Sequence, residues 1–397
     1  MNTQLPYSRR LLEILASFLR LGCTCFGGPV AHIGYFRGEF VTRRQWLSDA
    51  VFTDYIALCQ FLPGPGSSQL VFAIGMQRAG ILGALLASVC FIAPSAILMI
   101  AFAYSVAAFG DLEHAGWLHG LKLAAVAVVA QAVWGMGRRL CPDGARLGIA
   151  LASAIVCLLL PGAVGQIGVI ALGALAGYAL YRNMPNTNAN ISHSGLTRGH
   201  AWALVSLILF LALLVGLPIA ARGNFSLQLF DDFYRTGSLV FGGGHVVLPL
   251  LQAALVPPGW INNNDFLAGY GAAQALPGPL FTFAAYLGTV IAPGPHAWVT
   301  GLWCLLGIFL PGWLLIGGAL PFWHLIRSKM WAQAALFGAN AAVVGVLLAA
   351  LYNPVWKQGV TGVYDFVAVI IALALLEVWK IAPWLVVLLM AAAGQFF

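Results

Sequence analysis

The sequence predicts an all-α polytopic membrane protein made of two inverted-topology repeats with broken or re-entrant helices. Three observations carry this reading. Only 8% of the 397 residues are charged and 61% are hydrophobic, the two halves match each other, and basic residues change sides between them. Soluble domains carry about 25% charged residues, and roughly 20 apolar residues span a bilayer. Such stretches recur from end to end, which leaves no room for a soluble domain of useful size. The formal net charge of +7 reports orientation in a bilayer first, and no nucleic-acid partner is expected. The first apolar run follows Arg9 and Arg10 but contains Glu13 and Arg20. With no small-residue cleavage site after it, it reads as a retained helix, not a signal peptide. Of the seven cysteines, Cys23 and Cys25 lie two apart, which is no zinc or redox spacing. All seven are expected to pack as small apolar side chains.

The repeat is read from four blocks in the same order. Phe18–Gly28 (FLRLGCTCFGG) matches Phe233–Gly243 (FYRTGSLVFGG) at an offset of 215, pairing Arg20 with Arg235 and Gly22 with Gly237. Gln60–Pro65 (QFLPGP) matches Gln274–Pro279 (QALPGP) at an offset of 214. Phe91–Leu98 matches Ile308–Leu315, and Gly120–Trp134 matches Gly338–Tyr352. The chain therefore divides into a first repeat, 1–182, a connecting segment, 183–222, and a second repeat, 223–397.

Charge relates the repeats. In the first, Arg37, Arg43 and Arg44 precede the Pro-Gly-Pro element, Arg78 follows it, and Arg138, Arg139 and Arg146 follow a later span. The loop around Asp111, Glu113 and His114 holds no Lys or Arg. In the second, the loops 252–265 and 289–296 are bare, while Arg327 and Lys329 sit where the first repeat has none. Positive residues face the cytoplasm, so the halves are expected to have opposite topology, as in inverted-repeat carriers. One extra span, Trp202–Ala221, would invert the second half, and the polar stretch before it reads as a cytoplasmic linker. The first two elements of each repeat should then enter and leave on one face. About ten to thirteen hydrophobic elements are expected, not all of them full spans.

Backbone groups cannot stay unpaired in lipid, so interrupted helices must line protein or a wet cavity. Pro63-Gly64-Pro65-Gly66 interrupts one apolar segment and Pro277-Gly278-Pro279 another. Each break leaves an inward helix N-terminus near Ser67 or Leu280, with free N–H donors and positive partial charge, a site for an anion. Two such ends converging near the midplane define a candidate substrate site. It comprises Gly64, Gly66, Ser67, Ser68 and Gln69 from one repeat and Gly278 and Thr282 from the other, with Gln60 and Gln274 one turn before each break. Simple kinks for packing are the competing reading, weakened by the matched positions. Gly27-Gly28-Pro29 and Gly242-Gly243-Gly244 form a second pair of breaks, where glycine serves close helix crossing equally well.

Arg20 and Arg235 share a repeat position inside apolar stretches. A central arginine costs roughly 2.5–3.5 kcal/mol on insertion scales, so the pair is expected to face a polar cavity. A guanidinium there matches a tetrahedral oxyanion bidentately; snorkelling to the interface is the alternative. Lys122 is a weaker candidate, opposite the neutral Asn340. For proton coupling the candidates are Asp54, Glu39, His32 and His245, with Asp54 leading. Glu39, among Arg37, Arg43 and Arg44, reads more simply as a surface ion pair, and the two histidines, unmatched between repeats, as packing residues. Asp231 and Asp232 flank Arg235. No Walker, H-E-x-x-H or G-x-S-x-G motif is present, so no cofactor, metal or enzymatic activity is expected.

Four strings carry a family resemblance: Phe26–Val41 (FGGPVAHIGYFRGEFV), Trp46–Leu70 (WLSDAVFTDYIALCQFLPGPGSSQL), Phe241–Leu251 (FGGGHVVLPLL) and Gly269–Gly288 (GYGAAQALPGPLFTFAAYLG). With their flanking spans they resemble the chromate ion transporters, in their long bacterial two-domain form, over nearly the whole chain except the linker. The resemblance implies secondary active export of chromate across the inner membrane, conferring chromate resistance. It also implies a proton-driven antiporter and sulfate, a tetrahedral dianion of similar size, as competitor. Where relatives often carry Asn this chain has Gly66, which leaves more to backbone donors and Ser67. The expected partners are the oxyanion, protons and the lipid bilayer, with a homodimer left open. A sulfate or other oxyanion carrier and a passive anion channel remain alternatives. A membrane enzyme acting on lipid-linked phosphate would need a catalytic acid or metal cluster that the sequence does not display.

Overall fold

The computed structural model describes residues 5–109, 116–183, 200–326 and 329–396. The linker stretch 184–199 and the loop of Asp111, Glu113 and His114 lie outside them. Regular structure among the described residues is entirely helical. Six helices are long and apolar enough to cross a membrane, and four shorter apolar helices accompany them. Their outer faces expose residues such as Ile97, Leu172, Ile208 and Leu388, as the faces of a multi-pass integral membrane protein must in lipid.

The first half opens with two hairpins. α1 (Tyr7–Thr24) and α2 (Gly28–Phe36), the latter extended by a π-helical turn Arg37–Arg43, form one. α3 (Asp49–Phe61) and the first part of α4 (Gly66–Phe109) form the other. α1 buries Ile14, Phe18 and Leu21, a spacing that keeps one stripe inward, and Phe18 stacks on Phe40 at 4.8 Å. α3 starts where Ser48 accepts the Val51 N–H, with Asp49 in its first turn, a charge that suits a helix N-terminus.

α4 breaks at Ala79 and Gly80, where the backbone leaves helical geometry. There the Tyr7 hydroxyl donates to the Ala79 carbonyl at 3.0 Å, and Arg78 donates to Glu13 at 2.5 Å. The Arg78 guanidinium also lies 4.8 Å from the Trp46 ring. The open ends of both hairpins therefore lie together, at the end that collects the basic residues. Beyond the break α4 runs to the opposite end, where the Tyr104 hydroxyl meets the Pro295 carbonyl at 3.3 Å.

α5 (Gly116–Leu140), α6 (Gly144–Leu159), α7 (Ala163–Tyr181) and α8 (His200–Ala220) follow. α8 occupies the position of the expected inverting span. The second half repeats the opening: α9 (Phe225–Leu239) with α10 (Val247–Leu255), then α11 (Asn263–Gln274) with α12 (Phe283–Ile291), and the long α13 (Ala297–Ala319). The open ends of these hairpins also cluster. The Phe225 and Trp260 rings lie 5.4 Å apart, and the Tyr286 hydroxyl donates to the Asp265 carbonyl at 3.0 Å. They cluster at the end opposite to those of the first half.

The halves exchange helices. α5 packs against α15 (Val363–Glu377) and α16 (Pro383–Ala393), while α14 (Met330–Ala350) packs against α6 and α7. The crossings are backbone-close: a Cβ at Gly120 would lie 2.0 Å from the Met390 carbonyl oxygen, and one at Gly338 1.9 Å from that of Gly173. Small residues permit this approach. Of the cysteines, Cys23 is exposed, so it is not the apolar packer expected; it follows Arg20 on the outward side of α1.

Candidate functional site

The hairpin tips meet at the junction of the halves. α3 ends at Phe61, and Pro63 and Pro65, without N–H groups, cannot carry the helix through. Gly64 between them donates its N–H to the Val240 carbonyl, just past α9, at 2.7 Å. The second half reciprocates: Gly278 donates to the Cys25 carbonyl, just past α1, at 2.7 Å. Each Pro-Gly-Pro tip thereby holds the glycine break of the other half. Both glycines have left-handed backbone, φ +119° and +92°, and an added Cβ would fall 3.0 Å from Gln69 Nε2 or 2.8 Å from Ser95 Oγ. Each break is also closed locally. Gln69 Nε2 donates to the Pro63 carbonyl at 2.8 Å, and Thr282 Oγ1 to the Pro279 carbonyl at 2.9 Å.

A cavity of about 790 Å³ lies between the tips and the basic end, lined by both halves. A smaller one, about 370 Å³, lies at the opposite end around Tyr104, Lys122, Asn264 and Asp265. From the first half Gly27, His32, Asp54 and Gln60 reach the larger cavity, with Gly64, Pro65, Gly66 and Ser67 at the tip. From the second half Gly242, Gly243 and His245 reach it. The other predicted residues do not. Ser68 and Thr282 are buried behind the wall, and Gly28, Pro63, Gln274, Pro277, Gly278 and Pro279 support the breaks without lining the cavity. The second tip differs because Leu280–Thr282 is a 3-10 turn before α12 begins. It presents Leu280 and Phe281 where the first tip presents Gly66 and Ser67.

Arg20 and Arg235 depart from the expectation of a shared cavity; neither lines it. Arg20 Nη2 donates to Glu39 Oε2 at 2.6 Å, and Arg235 Nε bridges both oxygens of Asp231 at 2.8 and 2.9 Å. A buried carboxylate must be paired, and each arginine is used for that. Glu39 is likewise no surface pair: it is 4% exposed and also takes Arg43 and Arg44. Asp54 accepts from Trp323 Nε1 at 2.9 Å. His245 Nδ1 shares a hydrogen bond with the Tyr270 hydroxyl at 2.9 Å. His32 is fully buried with its ring near the Cys25 carbonyl, and neither ring nitrogen makes a well-formed hydrogen bond among the described residues.

Two cations lining the cavity were read from sequence only as markers of orientation. Arg139 Nη2 lies 3.5 Å from the Gly242 carbonyl, and Arg146 lies 5.3 Å over the Tyr181 ring and pairs with Asp143 at 2.6 Å. One signal existed: at the offset that pairs Gly120 with Gly338, Arg139 falls opposite Lys357. Asp143 caps α6 in the loop after α5. The Arg146 backbone N–H and the Tyr181 hydroxyl hold its carboxyl down at about 2. No cluster of three metal-ligating side chains occurs among the described residues. The wall thus offers positive charge, a helix start and neutral donors around a space ample for a small anion.

Comparison with known proteins agrees with this chemistry. The sequence matches the chromate transporter family twice, over residues 12–178 and 227–395. A chromate transport protein of Pseudomonas aeruginosa is 28% identical over 389 residues, covering 96% of this chain and 90% of that one. One from Cupriavidus metallidurans is 26% identical over 385 residues, 93% of this chain and 88% of that one. An uncharacterised Bacillus subtilis transporter is 30% identical over 118 residues, 30% of this chain and 58% of its own. No solved structure matches.

Proposed function

The chain belongs to the chromate transporter family, and we propose that it exports chromate by proton-coupled alternating access between two inverted halves. The observation that supports this best is the reciprocal joint at the tips, Gly64 to Val240 and Gly278 to Cys25. It stands between two cavities that open toward opposite ends. With basic residues facing the cytoplasm, the larger cavity is the cytoplasmic vestibule and this conformation is inward-facing.

In this reading Arg139 and Arg146 draw the dianion in, and the first turn of α4 receives it through its N–H donors, its dipole and Ser67. Sliding one hairpin pair past the other would break both glycine bonds together, closing the larger vestibule and opening the smaller. Asp54, on the cavity wall beside Trp323, is the carboxylate placed to exchange a proton with the vestibule. Arg20 and Arg235 stabilise the hairpins through their carboxylates and do not touch substrate.

The test is chromate flux in proteoliposomes under an imposed pH gradient, with sulfate as competitor, comparing wild type, Arg139→Gln and Asp54→Asn. Uphill accumulation that weakens in Arg139→Gln and becomes merely downhill in Asp54→Asn would support the scheme. Wild-type flux that runs only downhill would replace it with a channel, and a preference for sulfate would replace its substrate.

A further inference from the structure

We infer that His32 is a substrate-contacting residue, a hydrogen-bond donor to one oxygen of the tetrahedral oxyanion held at the first hairpin tip. This rests on the reading of the larger cavity as the substrate vestibule. His32 stands one turn past Gly28-Pro29 on α2 and forms part of the cavity wall. Its ring meets Phe91 edge-on at 5.5 Å and Phe36 at 6.0 Å. Both its nitrogens are buried, and neither makes a well-formed hydrogen bond among the described residues; the Cys25 carbonyl near the ring already accepts the short bond from the Gly278 N–H.

Buried polar groups are almost always hydrogen-bonded, and an orphan calls for an explanation. Packing does not supply one, because a phenylalanine would fill the aromatic slot between Phe36 and Phe91 without stranding two polar atoms. The orphan is not isolated. Asn340 Oδ1, on the second half's wall of the same cavity, is also buried without a partner. One orphaned group from each half thus faces this space: the imidazole, which can donate to an anion, and the Asn340 amide oxygen, an acceptor that a water of the anion's remaining hydration would satisfy. A neutral imidazole always keeps one N–H to donate, and an anion that has shed part of its hydration needs such donors.

The test separates donation from packing and from proton transfer. Wild type, His32→Gln and His32→Phe are purified, and their ligand-free unfolding midpoints establish that each is folded. Saturable chromate flux is then measured in proteoliposomes without a pH gradient, together with chromate-induced thermal stabilisation in detergent. The expected result is that His32→Phe raises KM about tenfold or more, leaves kcat nearly unchanged and loses the stabilisation. His32→Gln, which keeps an N–H donor but cannot titrate, stays close to wild type in both. A His32→Phe variant with wild-type KM and stabilisation would overturn the inference and leave the proposed transport standing. So would a His32→Gln variant as impaired as His32→Phe. Wild type without saturable chromate flux would overturn both.

Discussion

The two Pro-Gly-Pro tips perform the same backbone task within different surroundings. In each, a glycine N–H crosses to the carbonyl that ends the other half's first helix, at 2.7 Å in both cases. Around that joint the first half offers Gly66 and Ser67 to the cavity and the second offers Leu280 and Phe281. The buried carboxylates differ in the same way: Glu39 collects three arginines and Asp231 one. Duplication has kept what the backbone requires and released the side chains. A nearly symmetric scaffold therefore encloses an asymmetric cavity, with most of its polar lining on the first half.

The sharpest way to break this comparison is at the two glycines. Gly64→Ala and Gly278→Ala each force a left-handed backbone on an L-residue, a strain of about 1–3 kcal/mol, and push a Cβ against a neighbour. Each is expected to lower chromate flux in proteoliposomes about tenfold. A loss in only one of them would mean that the reciprocal bonds are not equivalent. The carboxylates come next. Glu39→Gln strands three guanidiniums and is expected to cost about 2 kcal/mol, against about 1 kcal/mol for Asp231→Asn. Unfolding midpoints in detergent measure both, and equal losses would remove the asymmetry.

The helix caps give a smaller effect. Asp143 serves α6 with partners from its own half, whereas Asp365 at the start of α15 takes His119 from the other half at 2.7 Å. With the Asp143 carboxyl held at about 2 when folded, below the ordinary value near 3.9, its contribution is complete above about pH 4 and fades as pH falls through 2. The unfolding midpoint of Asp143→Asn should therefore lie below wild type by a constant margin from about pH 5 to 8. That margin should close only on strong acidification. The smallest expected effect is on substrate affinity in Arg20→Gln and Arg235→Gln. Because both arginines face carboxylates, KM for chromate should stay within about twofold of wild type. A tenfold rise in both would return them to the substrate site.

Much of the fold was legible because membrane insertion leaves few options. Apolar segments must be helical, and Pro-Gly-Pro inside one must break it at a place where backbone can be satisfied. Alignment of the repeats pairs Gly64 with Gly278 as equivalent positions. Alignment could not say where a side chain points. Arg20 and Arg235 were matched correctly but turn to Glu39 and Asp231, one on the following hairpin arm and the other a helical turn earlier on α9. Arg139 looked like one more loop cation, since its place on the cavity wall depends on α5 docking among helices of the other half. Asn340 was likewise only the neutral counterpart of Lys122, although the two residues line opposite cavities.

The sequence by itself determined the membrane class, the duplication, the four helix breaks and the family, because each depends on residue type and order along one segment. Only the tertiary structure decided which breaks touch, which cations line the cavity and which carboxylates hold the arginines. Those outcomes depend on distances between segments up to about 250 residues apart, and such distances exist only once the two halves have packed together.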